Sequence, residues 1–340
     1  MSQHQMEITA RALVAEGKGI LAADESLPTI AKRFKSIALE STEENRRFYR
    51  EMLFATSRIE EFISGVILFD ETIRQLASDK TPLVEMLAAR DIIPGIKVDR
   101  GTTDLAGFTG ETVTEGLDGL RQRLMEYREI GARFAKWRAV IKIGQGIPTP
   151  YCIKANAHAL ARYAALCQQC DLVPIVEPEV LMDGDHNINR CGEVTEATLN
   201  RVFFELNAHR VVLENILLKP NMILPGKGCP QQASSEEIAE TTVTIFRRVV
   251  PAAVPGIVFL SGGLSAEEAT ANLNALNAMG THPWQLSFSF GRALQAPVLE
   301  TWAGETEMVT EAQRRFYQRA RLNAAARRGQ YSLEMEAAPS

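Results

Sequence analysis

The stretch Leu-Leu-Lys-Pro-Asn-Met-Ile, residues 217 to 223, puts a lysine inside an apolar run. Desolvating an unpaired ammonium costs several kcal/mol, so Lys219 either reaches solvent or carries out chemistry. An amine in a desolvated pocket beside a second cation gives up its proton more readily. Once neutral it can attack a carbonyl carbon. The resulting protonated imine is an electron sink that makes the adjacent carbon–carbon bond breakable, and a carboxylate at hand can move the protons. The chain holds candidates for every part: Lys97, Lys136 and Lys219 as amines or neighbouring cations, Asp24, Glu177 and Glu179 as carboxylates, and Arg138 and Arg292 as permanent charges. Lys136 and Arg138 are two residues apart, as are Glu177 and Glu179. Side chains alternate along a strand, so each pair shares a face. Pro178 between the two glutamates favours an extended backbone. Retro-aldol cleavage needs this set, and residue types alone leave open which of the three lysines forms the imine.

Two further patterns suggest what surrounds that chemistry. Ser261-Gly262-Gly263 and Gly291-Arg292 combine glycines, which let a ligand approach the backbone closely, with a cation suited to phosphate. The competing route to a polarised carbonyl is a divalent metal held by several histidines. Only His4, His158, His186, His209 and His282 are available, none ends an apolar run, and Asp183-Gly184-Asp185-His186 reads as a polar loop. The expectation is a site with no metal and no cofactor.

These residues need a frame. Short apolar runs bounded by Gly, Pro or Asp occur at residues 18 to 24, 64 to 70, 93 to 99, 134 to 143, 172 to 180, 217 to 223, 256 to 263 and 284 to 291, with helical patterns between them. Thr42 and Glu44 start one helix, and Ser235 before two glutamates starts another. Eight alternating β and α units predict a (β/α)8 TIM barrel, with active-site residues at the C-terminal ends of the strands and phosphate held after strands seven and eight. Extra helices are expected before residue 18 and in the region 292 to 340, with a weakly structured tail from 330 onward. The reading is one domain, residues 1 to 340.

Composition sets the outer limits. Lys and Arg number 37 against 42 Asp and Glu, which points away from nucleic acid. No apolar run approaches the roughly 18 residues of a membrane span, and MSQHQMEITA lacks the features of a signal peptide. A cytoplasmic protein with no membrane association is expected. The cysteines are 152, 167, 170, 191 and 229, an odd and scattered set that reads as reduced core thiols, with Cys167 and Cys170 on one helix face.

The stretches GKGILAADES, TEENRRFYR, GVILF, GIKVD, GETVTEGLDGL, FAKWR, IVEPEVLMDGDH, LLKPNM, FLSGG and SFGRALQ run from about residue 17 to about 330. Together they closely resemble class I fructose-bisphosphate aldolases, the metal-independent imine-forming enzymes of glycolysis. The resemblance implies that Lys219 forms the imine, that Glu177 is the general acid and base, and that Asp24 takes the C4 hydroxyl proton. It further implies that Lys136 and Arg138 supply local positive charge and that Glu179 holds lysine charges in register. It places substrate phosphates on Ser261, Gly262, Gly263, Gly291 and Arg292, and on Ser26, Thr29, Lys97, Arg33 and Arg46. The partners implied are phosphosugars and other copies of the chain, in a homotetramer. Two departures stand out. Ser26-Leu27-Pro28-Thr29 replaces the Ser-Thr-Gly-Ser of many relatives, and Pro28 removes a donor from the second phosphate contact. Animal members end in a tyrosine that assists proton transfer, whereas this sequence stops at Ser340 and Tyr331 matches an upstream tyrosine. Proton transfer and the preference between bisphosphate and monophosphate ketoses are therefore expected to differ. The alternatives are another Schiff-base aldolase or transaldolase, or a phosphosugar-binding barrel that has lost its chemistry.

Overall fold

The computed structural model of the protein describes residues 3 to 337. Eight parallel strands close in sequence order into a barrel: Gly19–Ala23, Ile63–Leu68, Ile93–Lys97, Phe134–Ile141, Val173–Val180, Leu217–Leu218, Gly256–Phe259 and Gln285–Phe290. The first pairs with both the second and the eighth. Helices between the strands cover the outside and bury one continuous apolar layer against it. Their starts follow capping chemistry: Thr42 accepts from the Asn45 N–H at 3.1 Å, and Ser265 with Glu268 forms a reciprocal capping box. For the helix Ser235–Val249 the cap is Ser234, one residue earlier than the sequence reading put it, and its hydroxyl accepts from the Glu237 N–H.

Inside the barrel a second apolar cluster forms from alternate positions, among them Ile20, Ala22, Ile67, Phe134, Ile175, Leu217 and Val258. Met6, Ala10 and Leu13 of the helix Gln3–Leu13 join it, so that helix closes the end of the barrel opposite the strand C-termini. Glycine makes room for the largest of these side chains. A Cβ on Gly95 would sit 2.2 Å from the Phe134 ring, and one on Gly65 would sit 2.6 Å from Leu13. Small residues on the second and third strands thus face a phenylalanine from the fourth, as packing at crystal-like density demands. The lower half of the barrel is solid, and only its upper half is open to chemistry.

Several strands stop earlier than their apolar runs suggest. The sixth ends at Leu218, although the run continues to residue 223. The Lys219 N–H still donates to the Val176 carbonyl at 2.8 Å, but Pro220 has no N–H to offer. Beyond it the Asn221 side chain takes over the role of a neighbouring backbone and accepts from the Val180 N–H. The seventh strand ends at Phe259, before Gly262 and Gly263 adopt φ of +50° and +95°. A short antiparallel hairpin, Thr102–Asp104 with Thr112–Thr114, follows the third strand and was not foreseen; three-residue polar strands carry no hydrophobic alternation.

The tail from 330 to 337 is docked rather than loose. Tyr331 is buried, its hydroxyl donates to Glu336 at 2.8 Å, and Glu336 pairs with the buried Arg319 at 2.6 Å. The rest of the tail, 338 to 340, lies outside the described residues. All five cysteines are buried and unbonded, as expected of core thiols, and burial raises the pKa of Cys167 and Cys170. Gly95→Ala should lower unfolding stability by about 1–3 kcal/mol through overpacking against Phe134, read as a lower urea midpoint at unchanged m-value.

Candidate functional site

Register decides which side chains meet at the mouth of the barrel. Arg138 is paired with Glu177 and Val140 with Glu179 across strands four and five, and Lys97 with Lys136 across strands three and four. Phe134, Lys136 and Arg138 therefore share the inward face of strand four, and Ile175, Glu177 and Glu179 that of strand five. Apolar residues fill the lower positions of each strand and ionisable residues the upper ones. The sequence ring of charges becomes a layer resting directly on the apolar plug.

Within that layer the charges form a chain. Lys136 Nζ lies 2.7 Å from Asp24 Oδ2 and 3.1 Å from Glu177 Oε2, and Glu177 Oε1 lies 3.3 Å from Lys219 Nζ. Lys136, Glu177 and Lys219 are each 3% exposed. Two cations alternate with two anions, which is how buried charge becomes tolerable. Burial pushes the Asp24 pKa up, but the ammonium groups of Lys136 and then Lys219 outweigh it and hold the carboxyl well below its usual range. For Lys136 burial favours the neutral amine, yet Asp24 and Glu177 together raise its pKa and keep it charged. Glu177 Oε2 touches Lys136 as a charge contact without hydrogen-bond alignment, so this buried oxygen retains accepting capacity.

The other predicted residues surround this chain in a cleft of about 930 Å³. Arg138 pairs with Glu179, and burial, which lowers the guanidinium pKa, is outweighed by that carboxylate. Lys97 Nζ meets Asp99 Oδ1 at 2.6 Å. Ser26 and Thr29 join hydroxyls at 2.9 Å, and Ser26 is the N-cap residue of the helix Leu27–Lys35. Pro28 sits in the first turn of that helix, where the helix itself needs no N–H; what the proline removes is a donor that a bound anion could have used. Ser261, Gly262, Gly263, Gly291, Arg292 and Arg33 line the same cleft.

Arg46 does not belong with them. It grips Glu71 with two nitrogens at 2.7 and 2.6 Å and is absent from the cleft lining. Tyr331 is likewise elsewhere, packed beneath the C-terminal tail. The sequence reading missed Glu25, a buried carboxylate holding Arg33 and Arg50 together with Gln295. It also missed Asp99 and Lys227, both of which line the cleft. Lys227 stands between two glycines after the sixth strand; its ammonium lies 2.6 Å from where a Cβ on Gly263 would be, and it has no ion pair among the described residues. A lysine flanked by glycines in a loop at the strand C-termini was the available signal.

A closed parallel barrel that carries buried lysines and carboxylates at its C-terminal mouth, with glycine loops after strands seven and eight, defines a TIM-barrel enzyme. Comparison with known proteins narrows this. The family model Fructose-bisphosphate aldolase class-I matches residues 5–340. A probable fructose-bisphosphate aldolase class 1 of Xanthomonas campestris pv. campestris is 57% identical over 332 residues, 97% of this chain and 99% of its own. Fructose-bisphosphate aldolase 5, cytosolic, of Arabidopsis thaliana is 56% identical over 95% of this chain and 90% of its own. Among solved structures, fructose-bisphosphate aldolase from Plasmodium falciparum, in complex with TRAP and a small-molecule inhibitor, aligns with a TM-score of 0.96 at 51% identity, covering 97% of this chain and 95% of that one. The chain belongs to the class I fructose-bisphosphate aldolase family, lyases that cleave fructose 1,6-bisphosphate reversibly to dihydroxyacetone phosphate and glyceraldehyde 3-phosphate.

The depressed pKa of Asp24 has a signed consequence. Its contribution to stability is complete above the unfolded-state value of about 3.9 and is lost as pH falls through the folded value. Asp24→Asn should cost roughly 2 kcal/mol at pH 7. In urea titrations that deficit should stay constant from pH 5 to 8 and shrink below pH 4.

Proposed function

We propose that this chain performs the cleavage through an imine on Lys219, with Glu177 and Asp24 as its proton carriers. The observation that carries the reading is the unequal treatment of two buried lysines. Lys136 lies between two carboxylates and stays charged, whereas among the described residues Lys219 has one ion pair, with Glu177 at 3.3 Å. Lys219 is the amine that can pass its proton to a neighbouring carboxylate and attack.

The steps follow from those contacts. The Lys219 amine adds to the substrate ketone at C2, and Glu177 returns a proton so that water leaves and a protonated imine forms. Asp24, held ionised by Lys136, accepts the C4 hydroxyl proton. The C3–C4 bond then breaks, the aldehyde half departs, and the bonding electrons settle on the imine as an enamine. A proton delivered to C3 and hydrolysis release the ketone half and restore the amine. Arg138 adds fixed positive charge, and Glu179 holds that arginine in place. Ser261, Gly262, Gly263, Gly291 and Arg292 suit one phosphate; Ser26, Thr29, Arg33 and Lys97 suit the other. Lys227 adds a further cation beside Gly263.

A cytoplasmic setting is supported by the relative named as cytosolic and by the absence, among described residues, of a helix long and apolar enough to cross a membrane. Assembly as a homotetramer is supported by the resemblance to the family and by exposed Tyr151 and Phe204 on the outer wall.

Borohydride reduction in the presence of dihydroxyacetone phosphate should attach a stable adduct to the peptide carrying Lys219, and Lys219→Ala should abolish it; a label on Lys136 or Lys97 refutes the assignment. Glu177→Gln should lower kcat by about 10²- to 10⁴-fold. In the same assay Lys227→Ala should raise KM for the bisphosphate several-fold with little change in kcat, and Lys227→Arg should restore it.

A further inference from the structure

On the outer wall of the barrel the helices Pro150–Gln169 and Ile188–Ala208 pack side by side. Near the end of the second, Glu205 is only 5% exposed although it is a carboxylate on an outer helix. Its Oε1 pairs with Arg201, and its Oε2 lies 3.2 Å from His158 Nδ1 on the facing helix. His209, which caps the second helix, completes the group. The imidazoles of His158 and His209 are 4.9 Å apart between ring centres and 65° to one another. None of the three lines the catalytic cleft, and the imine chemistry uses none of them.

The geometry points to a binding site for a divalent transition-metal ion of the zinc type, formed by His158, Glu205 and His209. One ligand atom from each residue lies within 4.8 Å of the other two. That is wider than the roughly 3.4 Å between ligands of a tetrahedral zinc with bonds of about 2.1 Å, and the His158 side chain, 50% exposed, is free to swing in and close the gap. His209 is set up by its neighbour. Its Nδ1 lies 2.8 Å from the Glu205 backbone carbonyl, so Nδ1 carries the proton and donates, which leaves Nε2 as the bare lone pair. Metal-bound histidines are held in this way, the second ring nitrogen donating to a carbonyl or carboxylate. Arg201 does the corresponding job for Glu205, occupying Oε1 and leaving Oε2 to the metal. Two imidazoles and one carboxylate favour zinc, copper or nickel over magnesium or calcium, and water would fill the remaining positions. The ion takes the place of the direct His158–Glu205 contact and clamps two helices together on the opposite side of the barrel wall from the cleft. The site is structural, and cleavage does not depend on it.

The full-length protein, stripped with chelator and dialysed, is titrated with zinc chloride by calorimetry, and with cobalt chloride while the visible absorption of a nitrogen- and oxygen-ligated ion is followed. One saturable site per chain is expected, with a higher Tm in zinc. His158→Ala and His209→Ala should each weaken binding at least tenfold while aldol cleavage, which reports correct folding, is unchanged. Absence of saturable binding overturns the proposal. So does unchanged affinity in His158→Ala, which would place the ion on other histidines or thiols.

Discussion

A charge can be buried at the heart of this barrel because it is never alone. Asp24, Lys136, Glu177 and Lys219 form a line of alternating sign, two from inward strand faces and two from just past the ends of two other strands, and its net charge is zero. Removing Lys136 leaves Asp24 desolvated without that partner, and removing Glu177 does the same to Lys219, so the two inner members hold the line together. The inner lysine is held charged by two anions, whereas the outer one has one ion pair among the described residues, with Glu177.

The apolar plug beneath makes that line possible. Phe134 spreads over Gly95 and Gly65, and Leu13 from the N-terminal helix closes the gap from below. Without this floor, water would reach the ion pairs from both ends and weaken every interaction among them. The same strand supplies the floor and the chemistry: Phe134, Lys136 and Arg138 follow at intervals of two, and strand geometry turns that spacing into height along the barrel axis.

Periodicity and charge made much of this legible. The eight apolar runs gave the barrel, and the pairs at 136 and 138 and at 177 and 179 gave the inward faces. What stayed hidden depended on partners distant in sequence. Arg46 has the residue type of a phosphate ligand, yet Glu71, 25 residues on, claims it. Lys227 looked like loop polarity until the fold placed it against Gly263. Glu25, next to a catalytic candidate, was unreadable because the groups that fix it, Arg50 and Gln295, come from helices at opposite ends of the chain. Where strand six stops was equally obscure, since an asparagine side chain there imitates a backbone. Tyr331 and Glu336 show the same limit in the tail, where order comes from Arg319 on another helix rather than from local pattern.

The helix that seals the lower end of the barrel also fixes the traffic through it. With one end filled by Met6, Ala10 and Leu13, the described residues leave substrate and both products one doorway, at the strand C-termini. On the proposed imine route, a ketone half tethered to Lys219 at the bottom of a blind passage cannot leave before the free aldehyde above it. Sequential departure, aldehyde first, is therefore imposed by architecture as well as by bonding, and in the synthetic direction the same dead end obliges the ketone to enter first.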